Sequence, residues 1–338
     1  MSEQNNYTFK DFKSDQEIRW CPGCGDSAIL NAVQKAMADL GRKKEEYAVV
    51  SGIGCSSRFP YYMATYGFHG IHGRAGALAS GVKVANPHLS VWQITGDGDA
   101  LAIGGNHFIH EIRRNVDLNI LLFNNEIYGL TKGQYSPTSK YGKITKTSPF
   151  GTVEYPFSVG ELTVGAHGKF FARTTDNNLK QMTDVFIEAE HHRGTSVIEI
   201  LQNCVIFNDG VHDLITDKNT REEHQIYLEH GKPMLFGKDN NKGLVLDGWK
   251  LKAVTIGEDG ITEADILVHD AHEENPTMHS MLINMKLPDL PVAMGVIRAV
   301  KATTYDEAVT KQIEWVKESS KIKNMTDLLF SGNTWEVK

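Results

Sequence analysis

Six side chains in this sequence join a metal-binding type to a suggestive motif, and their positions group them into two sets. The first is Asp97, in Gly96-Asp97-Gly98-Asp99, with Asn125, the second residue of an Asn-Asn pair. A carboxylate and an amide oxygen are hard donors that suit Mg2+, which takes few protein ligands and fills its shell with water and phosphate oxygens. The chemistry they imply is a Mg2+ ion shared with a diphosphate. Gly98 lets the backbone approach such a group without a Cβ in the way, and a helix starting near Asp99 offers unpaired N–H groups and a favourable dipole. Gly-Asp-Gly and Asn-Asn are also common turn formers, and either one alone reads as a surface turn. The second set is the four cysteines of the chain, Cys21, Cys24, Cys55 and Cys204. A two-residue spacer such as that between Cys21 and Cys24 is, in a large α/β chain, more often a metal or redox site than a disulfide. Four thiolates hold either a [4Fe-4S] cluster or a Zn2+ ion, and spacing does not choose between them. The plainer alternative is a redox-active pair beside two inert buried cysteines.

For these residues to meet, several elements must end at one edge. Val91 to Thr95 is a short, apolar, β-prone run stopped by Gly-Asp-Gly, after which Leu101, Ile103, Phe108, Ile109 and Ile112 recur at helical spacing. Ile120 to Phe123 is a second buried-type strand that stops at Asn124-Asn125. Within one right-handed βαβ unit both stops lie at the same edge of a parallel sheet, where the ligand loops of such sheets are found. Tyr47 to Ser51 reads as another strand, delivering Ile53 to Ser57, and Thr195 to Leu201 as one delivering Cys204. Trp20 to Gly25 is a tight knuckle that leads, with Asp26 or Ser27 as N-cap, into a helix from Ser27 to Leu40. Residues 59–74 are too aromatic and glycine-broken for regular structure and read as a shaped loop. Further along, 75–86 reads as a packed helix, 133–149 as a long loop near the site, 167–173 as a strand and 178–191 as a helix.

The 338 residues suffice for a full core, and a net charge of −7 without basic runs gives no reason to expect a nucleic-acid partner. No signal-like N-terminal stretch and no run of about 18 apolar residues occurs, so the expectation is a cytoplasmic protein with no membrane partner. Past residue 206 the sequence becomes charged and turn-rich, with only Asp306 to Glu318 reading as an amphipathic helix. The expected organisation is a binding domain over 14–205 and a C-terminal extension over 206–338 used for subunit contact. The expected fold class is α/β, a mostly parallel sheet flanked by helices.

The stretches GDGDALAIG and NNEIYGLTKGQ resemble the thiamine-diphosphate-binding motif. Together with WCPGCG, GIGCSS and HGR, in this order over roughly residues 18 to 206, they resemble the β subunit of the 2-oxoacid:ferredoxin oxidoreductases. The resemblance implies the thiamine-diphosphate-binding fold, with Mg2+ on Asp97, Asn125 and the carbonyl of Ile127. It implies thiamine diphosphate enclosed by Ile53, Gly54, Cys55, Ser56, His72, Gly73, Arg74, Gly98, Asp99, Gly129, Leu130 and Thr131. One [4Fe-4S] cluster is implied on Cys21, Cys24, Cys55 and Cys204, and Lys132 is implied near the substrate carboxylate. The activity implied is coenzyme A-dependent oxidative decarboxylation of a 2-oxoacid to an acyl-CoA and CO2, with reduction of ferredoxin. The likeness is closest to 2-oxoglutarate-type members, with pyruvate or broad-range specificity as the alternative. An obligate α subunit is implied, because the acid that activates the thiamine ring comes from a second domain not legible in this chain. The rivals are a non-redox thiamine decarboxylase or synthase with structural zinc, and an electron-transfer or scaffolding subunit whose thiamine site is degenerate.

Overall fold

The computed structural model describes residues 6–337. Uninterrupted apolar runs suit strands covered on both faces, and such runs form the centre of the molecule. The strands β1 (Tyr47–Ser51), β2 (Tyr66–His69), β3 (Ser90–Gly96), β4 (Leu118–Asn124), β5 (Phe170–Thr175) and β6 (Thr195–Leu201) pair in parallel. Two later strands, β7 (Gln225–Leu228) and β11 (Val292–Ala299), complete an eight-stranded sheet of order β2-β1-β3-β4-β6-β5-β11-β7. Only β11 against β5 is antiparallel within it. Between them in sequence, β8 (Leu235–Phe236), β9 (Lys242–Asp247) and β10 (Lys250–Thr255) make a small antiparallel sheet.

Helices cover both faces, as a sheet of this kind requires. On one face, α1 (Asp26–Leu40) buries Ile29, Val33 and Met37 against β-sheet residues such as Trp92 and Ile198. The opposite face is covered by α2 (Ala75–Ala85), the pair α3 (Asp97–Leu101) and α4 (Gly105–Arg114), and α5 (Val159–Gly165). The helix α6 (Leu179–His191) packs beside α1 through Met182, Val185 and Phe186. In register, Gly96 pairs with Phe123 and Asn124 with Leu201, so the C-terminal ends of β3, β4 and β6 lie along one edge.

Several local expectations are corrected. The segment after Asp97 is not one helix: it breaks over residues 102–104, and Ile103 is exposed. A side chain at Gly104 would collide with the Asp99 carbonyl and crowd Gly73, so the chain turns there to let the 72–74 turn press in. The first helix is capped at Gly25, with Asp26 already inside it, because Gly25 lies hard against the Asp176 carboxylate. Residues 59–74 are partly regular, carrying the end of a 3-10 helix (Ser56–Tyr62) and the edge strand β2. The segment past 206 supplies two strands of the main sheet, and Ile226, Leu282 and Ile297 share a core cluster with Phe108 and Leu122. Among the described residues no separate core marks residue 206.

Candidate cofactor and cluster site

Beyond the C-terminal ends of β1, β3 and β4 lies a cavity of about 510 Å3. Its polar end is made by Asp97 and Asn125, and its apolar walls include Ile53, Phe123 and Leu130. A larger cavity of about 570 Å3 opens near Ser90 and Leu118, at the opposite ends of β3 and β4. There Lys83 pairs with Asp117 at 2.7 Å and Arg193 with Glu307 at 3.0 Å.

Asp99 organises the mouth of this cavity. Its Oδ1 accepts from the Ile53 N–H at 3.1 Å and the Gly73 N–H at 2.7 Å, and lies 2.7 Å from His72 Nδ1; its Oδ2 accepts from the Thr95 hydroxyl at 2.8 Å. One buried carboxylate thus ties the β1 loop, the 72–74 turn and the end of β3 together. Gly52 fits there because any side chain would run into that carboxylate. Asp99 and His72 line the cavity, whereas Arg74 turns its guanidinium to the carbonyls of His72 and Gly73.

Asp97 is 3% exposed, and burial pushes its carboxyl up to about 6. Its Oδ2 accepts from Ser136 Oγ and Thr138 Oγ1, each at 2.6 Å. No Lys or Arg among the described residues forms an ion pair with it. A buried carboxylate held by two hydroxyls but lacking a basic partner suits a bound cation. In the asparagine pair the two side chains differ in task. Asn124 donates to Glu199 Oε1 at 2.8 Å and its Oδ1 lies 2.9 Å from Thr138 Oγ1, which bolts the loop to the sheet. Asn125 lines the cavity, donates to Gln202 Oε1 at 2.7 Å and receives the Ile127 N–H on its Oδ1 at 3.2 Å. Glu126, at φ 55°, turns the chain just after the pair, and its carbonyl is held by Ser139 Oγ at 2.6 Å.

All four cysteines are free thiols. Cys55 and Cys204 flank Gly129, where a Cβ would lie 3.6 and 3.5 Å from their sulfurs. The knuckle is brought to them by Trp20 Nε1 donating to the Cys55 carbonyl at 2.7 Å and by Gln202 Nε2 donating to Cys24 Sγ at 3.4 Å. Burial raises the Cys24 thiol above its ordinary range and pushes Cys55 up to about 12. Among the described residues no three of His, Cys, Asp and Glu stand close enough to hold a single metal ion.

Sequence reading missed Ser136, Thr138, Gln202 and Tyr128, which hold the expected ligands in place. The polar composition of 133–149 was the only signal for the first two. Lys132 is exposed at φ 78°, one residue beyond Thr131, which lines the cavity. Gly73 and Arg74 stand behind the wall rather than in it.

A parallel sheet with an acid and an amide lining a cavity at its carboxyl edge suits a thiamine-diphosphate-binding domain, and residues 52–200 match the family model described as the thiamine pyrophosphate enzyme C-terminal TPP binding domain. Over 331 residues the chain is 46% identical to the 2-oxoglutarate oxidoreductase subunit KorB of Mycobacterium tuberculosis, covering 97% of this chain and 88% of that one. It is 44% identical to the 2-oxoglutarate synthase subunit KorB of Archaeoglobus fulgidus over 185 residues, 55% of this chain and 69% of that one. Among solved structures, it is similar to a 2-oxoglutarate:ferredoxin oxidoreductase from Magnetococcus marinus with 2-oxoglutarate, coenzyme A and succinyl-CoA bound. The TM-score is 0.77 at 31% identity, over 98% of this chain and 97% of that chain. The chain belongs to the β-subunit family of the 2-oxoacid:ferredoxin oxidoreductases, a family of oxidoreductases. No helix among the described residues is long and apolar enough to cross a membrane.

Proposed function

We propose that this chain is the β subunit of a 2-oxoglutarate:ferredoxin oxidoreductase, which converts 2-oxoglutarate and coenzyme A to succinyl-CoA and CO2 while two electrons pass to ferredoxin. The observation that carries the reading is one sheet edge holding both Asp97 with Asn125 and, across Gly129, Cys55 with Cys204. The residues that would hold Mg2+ and the diphosphate are Asp97, Asn125, the Ile127 carbonyl and the backbone at Gly98. Cys21, Cys24, Cys55 and Cys204 would hold one [4Fe-4S] cluster, whose iron offsets the cost of keeping buried thiolates charged. When bound, these groups supply an electron sink for breaking the bond between C1 and C2 and a one-electron acceptor for the electrons released. The chain's own part is to position and to exclude water: Asp99 fixes His72 at the mouth, and Ile53, Phe123 and Leu130 keep the reacting end apolar.

A second cavity of about 530 Å3 shares Ile53, Gly54 and Leu130 with the first and is lined by Arg58. Arg58 forms no ion pair among the described residues, so its guanidinium is available to a carboxylate. A dicarboxylate such as 2-oxoglutarate suits that arrangement better than pyruvate, and the names of the relatives support the same substrate. Lys132, at the rim, is the other cation we assign to a substrate carboxylate. Among the described residues no second α/β domain faces this one with an acid for the thiamine ring, so the reading includes an α subunit that supplies it, and cytoplasmic location.

The test is metal and cofactor content of the anaerobically purified enzyme, followed by reduction of ferredoxin with 2-oxoglutarate or pyruvate. Iron, sulfide, thiamine and coenzyme A-dependent turnover of 2-oxoglutarate are expected. Zinc with thiamine would favour a non-redox enzyme, and iron without thiamine an electron-transfer subunit.

A further inference from the structure

Gln202 follows directly on β6 and is 1% exposed. Its side-chain nitrogen has two acceptors, the Asn203 carbonyl at 2.6 Å and Cys24 Sγ at 3.4 Å. The Asn203 carbonyl can only accept, so the amide nitrogen must point to it and the amide oxygen the other way. That oxygen receives Asn125 Nδ2 at 2.7 Å. The consequence passes on to Asn125. With its nitrogen committed to Gln202, its Oδ1 faces away from Gln202, and that oxygen has two lone pairs of which the Ile127 N–H takes one. One lone pair remains for a cation. The backbone holds this relay in place, because the Gln202 N–H donates to the Asn124 carbonyl at 3.0 Å, closing the end of β6 onto the end of β4.

We propose that Gln202 is a positioning residue that couples the two halves of the site, orienting the metal-facing oxygen of Asn125 while donating an N–H to the Cys24 sulfur. The inference rests on the cofactor and cluster reading above and deepens it. An N–H donated to a cluster sulfur withdraws electron density and raises the cluster's reduction potential. An outer partner of a metal ligand is worth about 10–100-fold in metal affinity. One amide carries both effects, so a change at the Mg2+ end that turns Asn125 also alters the hydrogen bond to Cys24.

The experiment compares the intact, anaerobically purified enzyme with its Gln202→Leu and Gln202→Glu variants. Readouts are the cluster midpoint potential, by EPR-monitored redox titration, and the Mg2+ concentration needed for thiamine diphosphate binding. Gln202→Leu is expected to lower the potential and to weaken Mg2+ binding by about 10–100-fold. Gln202→Glu keeps an acceptor for Asn125 and loses the N–H, so Mg2+ affinity should stay near wild type while the potential still falls. In the wild type, adding Mg2+ and thiamine diphosphate should shift the potential, and in Gln202→Leu it should not. A wild-type enzyme without iron or thiamine overturns the functional reading and this inference with it. A wild type holding both, beside a fully iron-loaded Gln202→Leu enzyme with unchanged potential or unchanged Mg2+ affinity, overturns this inference alone. Should Gln202→Leu fail to load iron, an unchanged potential in Gln202→Glu does the same.

Discussion

Tyr128 stands over Gly98: its hydroxyl donates to the Gly98 carbonyl at 3.0 Å, and its ring fills the space in which a side chain at position 98 would begin. The contact locks the turn after β3 to the loop after β4, and so sets Asp97 relative to Asn125. Gly98→Ala is therefore expected to push the two loops apart and weaken thiamine diphosphate binding at least tenfold, with the far-UV circular dichroism unchanged. Isothermal titration with the cofactor and Mg2+ checks it; wild-type affinity would show that the loops yield.

Asp99 joins three loops, and Asp99→Ala leaves the N–H groups of Ile53 and Gly73 without their acceptor. A buried donor left unpaired costs about 1–3 kcal/mol. The expected outcome is a lower Tm together with weaker cofactor binding, measured by calorimetry with and without thiamine diphosphate. A lower Tm with intact binding would confine Asp99 to stability.

Glu111, on α4, is 2% exposed, and burial pushes its carboxyl up to about 8 from an ordinary 4.5. Its Oε2 and the Oε1 of neighbouring Gln93 both lack partners. The folded state keeps the proton after the unfolded chain has released it, so this group lowers stability by up to about 1.4 kcal/mol per pH unit as pH rises from 4.5 to about 8. Glu111→Gln should remove that slope, equalling the wild type near pH 4.5 and exceeding it near pH 8. Urea denaturation across this range decides it.

Cys204→Ala should abolish the visible absorption of the proposed four-iron cluster and leave the fold intact, since its sulfur takes part in no disulfide. Iron analysis and absorbance of the anaerobic protein report on it. A full four-iron spectrum in the variant would remove Cys204 from the ligand set.

Arg58 and Lys132 divide the substrate question. A charge-assisted hydrogen bond contributes about 1.5–3 kcal/mol, so losing one lowers kcat/KM roughly ten- to a hundredfold. Arg58→Met should do this for 2-oxoglutarate and spare pyruvate. Lys132→Ala should act equally on both acids if it meets the shared 1-carboxylate, and more on 2-oxoglutarate if it meets the distal one. Steady-state kinetics with the two acids separate these outcomes, and no loss for either variant would return both residues to the solvent.

Much of the site was legible before any fold was in view, because its signals are local. The runs Tyr47–Ser51 and Thr195–Leu201 were readable as strands from their own composition, and both have those bounds in the structure. The GDG turn, the Asn-Asn stop and the cysteine knuckle were equally readable, since each is a short stretch whose residue types dictate its chemistry. Only the tertiary structure decided what holds them. Thr138 reaches Asp97, Asn124 reaches Glu199 and Gln202 reaches Cys24 across long intervals of chain, and no periodicity announces such pairs. The same holds for β7, four residues of alternating burial, which becomes a strand by pairing with β11 rather than by its own composition. Local sequence sets what a residue can donate, accept or bury, while the register of a sheet sets which distant residue it meets.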